Sequence, residues 1–80
     1  MSAGELARLI RMANQIATAF EGQGGQAARD TAGHIRAFWA RPMREDIVRH
    51  LQAGGEGLSP TARAAVEALT AAWPAVGSGT

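Results

Sequence analysis

Cysteine is absent from this 80-residue chain. The protein can therefore form no disulfide, and it has no thiolates with which to hold a structural zinc ion. A single domain of this length buries only about 60–65% of the surface that its unfolded chain exposes, so burial barely offsets the entropy of folding. We expect one marginally stable domain that gains stability by binding a larger partner.

Long apolar segments are absent as well. No stretch approaches the roughly 20 apolar residues that cross a bilayer. The first residues, Met-Ser-Ala-Gly-Glu, lack the basic start, apolar run and cleavage site of a secretory signal peptide. We therefore expect a soluble cytoplasmic protein that makes no contact with a membrane.

Lysine is the third absence. All eight basic residues are arginine, and seven acidic residues reduce the formal net charge to +1. That charge is too small to indicate nucleic-acid binding by bulk attraction. The planar arginine guanidinium suits fixed contacts with carboxylates better than the mobile lysine ammonium does. Biased genomic base composition is an alternative explanation for a chain rich in alanine and free of lysine.

The chain does contain apolar residues at helical spacing. Side chains of this kind recur every three or four residues in four segments, which predicts an all-α, four-helix domain with short loops and no strand. The predicted helices span residues 3–20, 27–40, 43–53 and 60–73. We expect residues 1–73 to form one domain and the small, polar residues 74–80 to form a disordered tail.

Capping residues, glycine and proline mark the ends of the first three helices. Ser2 and Glu5 form a capping box ahead of helix 1. The segment Glu21–Gly25 is predicted to be a flexible loop. Pro42 closes helix 2, because the residue before a proline disfavours helical geometry, and it can serve as the first residue of helix 3.

The connection between helices 3 and 4 carries two further signals. Gly54-Gly55 suits a left-handed C-cap, and Ser59-Pro60 combines an N-cap with a proline at the first helical position. Leu58 is expected to pack inward ahead of that cap. These residues predict a tight turn between two antiparallel helices.

Phe38 and Trp39 are the largest apolar residues of helix 2. Together with Ile35, they follow the apolar stripe of that helix, so we expect all three to pack in the core. Trp39 could in addition present its indole N–H to a partner at the edge of the core.

No arrangement of residues indicates catalysis or cofactor binding. His34 and His50 lack a nucleophile or an orienting partner, and a metal site needs several converging ligands. We expect both to be structural or interfacial, with Asp46 paired to His50 one turn away. Gly54–Gly57 follows a helix and precedes no Lys-Ser/Thr, so it is not a phosphate loop. The chain is predicted to be no enzyme and to hold no cofactor or metal.

Polar residues beside the predicted core are candidates for contact with a partner protein. Arg8, Arg11 and Gln15 share the face of helix 1 opposite its apolar stripe, with Asn14 on the flank; a solvated face is the alternative. Arg44 begins helix 3, where the helix dipole disfavours a cation by roughly 0.3–1 kcal/mol. A carboxylate on another chain explains that placement, and a snorkelling surface arginine is the alternative. The candidate interface residues are Arg8, Arg11, Asn14, Gln15, His34, Trp39, Met43 and Arg44.

A small DNA-binding or regulatory helical module is a second class of function, favoured by the size and by the sequence pI of about 9.1. A recognition helix presents several basic or amide side chains on one exposed face. Helix 2 offers only Arg29 and Arg36, and helix 3 starts with acids that repel phosphates. We therefore expect no nucleic-acid partner.

Three segments together resemble one known family. They are Met12-Ala13-Asn14-Gln15-Ile16, then His34 to Trp39 leading into Pro42-Met43-Arg44, then Gly54-Gly55-Glu56-Gly57-Leu58-Ser59-Pro60. The family is the small delta subunit of NAD-dependent formate dehydrogenases that contain molybdenum or tungsten, and the resemblance extends from about Leu6 to Val66. The chain departs from the family's order at Arg41-Pro42, where proline and arginine are exchanged.

The resemblance implies a role inside a larger enzyme. In that family, a large subunit carries a bis-molybdopterin guanine dinucleotide centre and iron–sulfur clusters, while FMN and further clusters pass electrons to NAD. The delta subunit has no cofactor of its own and helps to produce or maintain the active cytoplasmic complex. By resemblance, this chain is therefore an accessory subunit or maturation factor that binds the large subunit.

Overall fold

The computed structural model describes residues 3–71, which fold into helices joined by short connections. The elements are α1 (Ala3–Phe20), a 3₁₀ helix (Glu21–Gln26), α2 (Ala27–Phe38), α3 (Arg41–Gln52) and α4 (Pro60–Ala71). No strand occurs between residues 3 and 71, so the all-α prediction is confirmed. The expectations for the Ser2 cap and for a disordered tail at 74–80 concern residues outside this range.

The connection between α1 and α2 is not the predicted flexible loop at Glu21–Gly25. These residues form a short 3₁₀ helix that follows α1 directly and leads into α2. The described chain therefore has three helical stretches and not four separate helices, and the first stretch is kinked in this connection. Within this connection, Gly24 leaves helical geometry, with φ 62° and ψ −128°. Only glycine adopts that conformation at low cost, so the chain changes direction at this residue.

The junction between α2 and α3 lies two residues earlier than the prediction placed it. Trp39 and Ala40 are extended, with ψ values of 142° and 151°. Pro42 is consequently the second residue of α3 and not the first. A proline is tolerated there because the first backbone N–H groups of a helix have no intrahelical acceptor.

The core forms where α4 packs against the other three helices, most extensively against α2. Alanines on α1, α2 and α4 allow the helix axes to approach closely, and larger aliphatic side chains fill the space between them. Thr31 is fully buried, and its hydroxyl donates a hydrogen bond to the carbonyl oxygen of Ala27 at 2.8 Å. The buried apolar residues of the central cluster are Leu9, Ala13, Ala17, Ala32, Ile35, Trp39, Ile47, Val48, Leu58, Ala62, Ala65, Val66 and Leu69.

The C-terminal end of α3 has the predicted glycine cap. The amide of Gly54 donates to the carbonyl oxygen of Leu51 at 3.0 Å, and the amide of Gly55 donates to that of His50 at 2.9 Å. Both glycines have positive φ, 124° and 67°. This pair of bonds is a Schellman motif, which satisfies carbonyls that the end of a helix leaves without partners.

The N-terminal end of α4 has the predicted serine cap. The Ser59 hydroxyl oxygen accepts a hydrogen bond from the backbone N–H of Ala62 at 3.2 Å. Leu58 is buried immediately before the cap. The cap and the buried leucine together fix where the chain enters α4.

We predict that Ile35→Ala destabilises the domain by about 2–5 kcal/mol, because Ile35 is completely buried and its truncation leaves a cavity. Ile35→Val removes one methylene group and should cost about 0.5–1.5 kcal/mol. Thermal unfolding followed by circular dichroism measures both. Equal melting temperatures for the wild type and Ile35→Ala would show that Ile35 does not pack in the core.

Candidate protein-binding surfaces

The histidines and acids of the described chain do not converge on one place. Between residues 3 and 71, no group of three or more histidine, aspartate or glutamate side chains could hold a metal ion. His50 donates from Nε2 to the carbonyl oxygen of Glu56 at 2.7 Å. Asp46 accepts a hydrogen bond from Arg49 at 3.0 Å, so the predicted pairing of Asp46 with His50 is wrong. His50 stabilises the α3–α4 connection instead.

Asn14 joins α1 to the connection before α4. Its Nδ2 donates to the carbonyl oxygen of Gly57, and its Oδ1 accepts from the backbone N–H of Ser59, both at 2.9 Å. Both ends of the amide therefore have partners within the chain. Sequence analysis placed Asn14 among the interface candidates; the structure gives it an intramolecular role, because Gly57 and Ser59 lie beside it only after the chain has folded.

Arg44 caps the C-terminal end of α2. Its Nη1 donates to the carbonyl oxygens of Arg36 and Trp39, at 3.0 and 3.2 Å. The last carbonyls of a helix lack intrahelical partners and form the negative end of its dipole, so they attract a cation. This contact corrects the expectation that a carboxylate on another chain explains Arg44: the unfavourable position at the start of α3 is offset by the end of α2.

Trp39 and Met43 also belong mainly to the fold. Trp39 is 5% exposed and lies in the central apolar cluster, so its predicted packing role is confirmed and little of its surface is left for a partner. Met43 is half-buried and packs against the same cluster. The extended backbone at Trp39 turns this side chain inward at the end of α2.

Phe38 is the exception to the predicted core. It is 73% exposed, and the expectation that it packs inside is wrong. Two adjacent residues of a helix point about 100° apart, so Phe38 and Trp39 do not both reach the same core, and the extended Trp39 occupies it.

The exposed Phe38 ring contacts the His34 ring in a tilted arrangement. His34 lies between Phe38, with ring centroids 4.6 Å apart, and Phe20, at 6.3 Å in an edge-to-face arrangement. The His34 ring makes no hydrogen bond with another described residue. We call Phe20, His34 and Phe38 the aromatic column. Of this column, the sequence shows only that His34 and Phe38 lie one helical turn apart.

The α1 outer face is a second surface, formed by Ala7, Arg8, Arg11, Gln15 and Thr18. Arg11 and Gln15 are exposed and form no hydrogen bond or ion pair with another described residue. Arg8 makes only a long contact, 3.9 Å from its Nη1 to the Met12 sulfur. A shallow groove runs along this face, lined by Ala7, Ile10, Arg11, Asn14, Gln15 and Thr18. The predicted sharing of one face by Arg8, Arg11 and Gln15 agrees with their exposure.

Arg63 is a structural arginine that sequence analysis did not single out. Its Nη2 donates to the carbonyl oxygens of Gly54 and Gly55, at 3.0 and 3.1 Å. No spacing rule predicts this contact, since it depends on how the α3–α4 connection folds back over α4.

Within residues 3–71, the molecule is thus a small all-α domain that presents two surfaces suited to protein contacts. No helix of this range combines the length and the hydrophobicity that a membrane span needs. The chain belongs to the FdsD family, the delta subunit of NADH-dependent formate dehydrogenase, whose family model matches residues 8–66. Comparison with curated proteins and with solved structures gives no match. The matched range contains all the predicted interface residues.

We predict that Asn14→Ala destabilises the free domain by about 1–3 kcal/mol, because the Gly57 carbonyl and the Ser59 amide both lose their partner. Gln15→Ala is the matched control, since the neighbouring Gln15 is exposed and bonds to no other described residue, and it should change stability by less than about 0.5 kcal/mol. Urea unfolding of both variants tests this. An Asn14→Ala midpoint equal to that of Gln15→Ala would argue against the structural role.

We predict that Arg44→Ala lowers the stability of the free domain by about 1–2 kcal/mol, because two carbonyl oxygens at the end of α2 lose a charged donor. Arg29→Ala serves as the control on the exposed side of α2 and should leave stability nearly unchanged. The measurement is again the urea midpoint. If Arg44→Ala unfolds like the wild type, the cap contributes nothing and Arg44 is free to serve a partner.

Proposed function

We propose that this chain is a non-catalytic accessory subunit of a cytoplasmic NAD-dependent formate dehydrogenase, and that it binds the large, molybdopterin-carrying subunit. Membership of the delta-subunit family supports a place in that complex. The observation that carries the binding role is the aromatic column, in which Phe38 stays 73% exposed in a domain with little apolar surface to spare.

The aromatic column has the composition of a protein interface. Aromatic residues are enriched at interfaces and among the residues whose truncation weakens binding most. His34 adds a ring that lies between two apolar rings and makes no hydrogen bond with the other residues of 3–71. A partner that covers Phe38 removes its apolar surface from water and can bond His34 at the same time.

The usual ligands of one cofactor implied for the complex, the iron–sulfur cluster, are missing from this chain. Iron–sulfur clusters are held mainly by cysteine thiolates, and the sequence has no cysteine. Residues 3–71 contain no cluster of potential metal ligands. We therefore propose that bis-molybdopterin guanine dinucleotide, the iron–sulfur clusters, FMN and NAD are bound by the other subunits, and that this chain acts through protein contacts alone.

Binding of this kind can maintain the large subunit in an active state. A partner that binds only the folded form of a protein stabilises that form in proportion to the logarithm of its concentration over Kd. This stabilisation by binding applies equally to a permanent subunit and to a factor that assists insertion of the metal centre and then leaves. The two roles differ only in how long the contact lasts.

We predict that the chain co-purifies with a tagged large subunit when the formate dehydrogenase genes are expressed together. Intact-mass measurement of the complex should show one or more additional masses of 8.3 kDa for a permanent subunit. A maturation factor should appear only with large subunit that lacks its metal centre. Absence from both forms would refute the proposed function.

Phe38→Ser tests the aromatic column within the same experiment. Because Phe38 is exposed, the variant should melt like the wild type, yet its retention on the large subunit should fall at least about tenfold. Ala37→Ser, at the exposed neighbouring position, is the control and should be retained normally. Normal retention of Phe38→Ser would exclude the aromatic column from the contact and leave the accessory role intact.

A further inference from the structure

We propose that the α1 outer face binds an acidic side chain of the partner subunit, with the carboxylate held between Arg11 and Gln15. This inference rests on the proposed function, since it assigns the chemistry of one contact in that complex. It concerns a surface separate from the aromatic column.

The position of the two side chains favours a shared ligand. Arg11 and Gln15 are four residues apart on α1, so they are neighbours on one face of the helix. Both are exposed, and neither makes a hydrogen bond or ion pair with another described residue. The Arg11 guanidinium offers two parallel donors and the Gln15 amide another. A carboxylate has the acceptor sites to take all three.

Charge complementarity identifies the occupant as acidic. From Ala7 to Thr18, α1 carries two arginines and no aspartate or glutamate. Arg8, one turn before Arg11, adds a second positive charge, and between residues 3 and 71 its side chain bonds only to the Met12 sulfur, at 3.9 Å. Arginine is well suited to binding an acidic side chain, because its planar guanidinium matches a carboxylate in a fixed geometry.

The groove beside these residues provides a low-polarity floor. Ala7 and the half-buried Ile10 line it together with Arg11 and Gln15. A partner surface seated on the groove excludes water from the ion pair, and charged hydrogen bonds strengthen when water is removed. The ion pair of Arg41 with Glu45, by contrast, is exposed to water.

A nucleic acid is disfavoured as the occupant. The face offers only two cations, and the whole chain has a net charge of +1, whereas phosphate-backbone binding relies on many simultaneous contacts. The amide at Gln15, placed one turn from a guanidinium, fits a single carboxylate better than a row of phosphates.

Charge reversal at Arg11 tests the inference. Arg11→Glu, Arg29→Glu and the wild type are each expressed with the tagged large subunit, and Kd is measured for the purified pairs at low and high salt. Arg29 is the matched control, an exposed arginine on α2 that makes no hydrogen bond or ion pair with another residue of the described range. We expect Arg11→Glu to bind at least about tenfold more weakly and Arg29→Glu to bind like the wild type.

The outcomes separate this inference from the proposed function. Failure of the wild type to bind overturns the proposed function and this inference with it. Normal binding of Arg11→Glu overturns this inference alone. Equal losses for Arg11→Glu and Arg29→Glu indicate diffuse attraction to a basic surface and also overturn it. A lowered melting temperature of free Arg11→Glu shows that another part of this chain occupies the face, which overturns the partner assignment.

Discussion

The rest of the fold depends on the link that the Asn14 amide makes between α1 and the start of α4. The core faces of these helices consist largely of alanine, with Ala13, Ala17, Ala62 and Ala65 all fully buried. Small, similar side chains permit close packing, but they define the relative position of two helices less sharply than interlocking large ones do. The two 2.9 Å hydrogen bonds of Asn14 fix the relative position of the two helices immediately before α4 begins.

Two arginines likewise fix the ends of helices by hydrogen bonds between neighbouring elements. Arg44 reaches from α3 to carbonyls at the end of α2, and Arg63 reaches from α4 to carbonyls of the α3–α4 connection. Each spans two acceptors with one nitrogen, in contacts made between neighbouring elements. A chain without cysteine thus joins its helix ends by charged hydrogen bonds to backbone carbonyls, which are stronger than neutral ones. The absence of lysine suggested fixed contacts with carboxylates, whereas Arg44 and Arg63 make theirs with backbone carbonyls.

Sequence alone predicted the features that depend on neighbouring residues. The apolar spacing, the glycine cap at Gly54-Gly55 and the serine cap at Ser59 arise from local geometry, and the structure contains all three. The roles of Asn14 and Arg44 could not be predicted in this way, because their hydrogen-bond partners are brought close only by the tertiary fold. Phe38 was misassigned because helical spacing alone does not show that the backbone becomes extended at Trp39.

The side chains that the fold itself does not engage determine how a partner can approach. Of the interface candidates, Asn14, Trp39 and Arg44 are engaged within the fold, while Arg11, Gln15 and His34 keep polar groups without partners in the described chain. Phe20 follows Arg11 by nine residues, which is about half a turn on the helical wheel at 100° per residue. The aromatic column and the α1 outer face therefore point to opposite sides of α1. A flat partner surface can cover only one of them, so a complex that uses both must enclose α1 or bring two surfaces together around it.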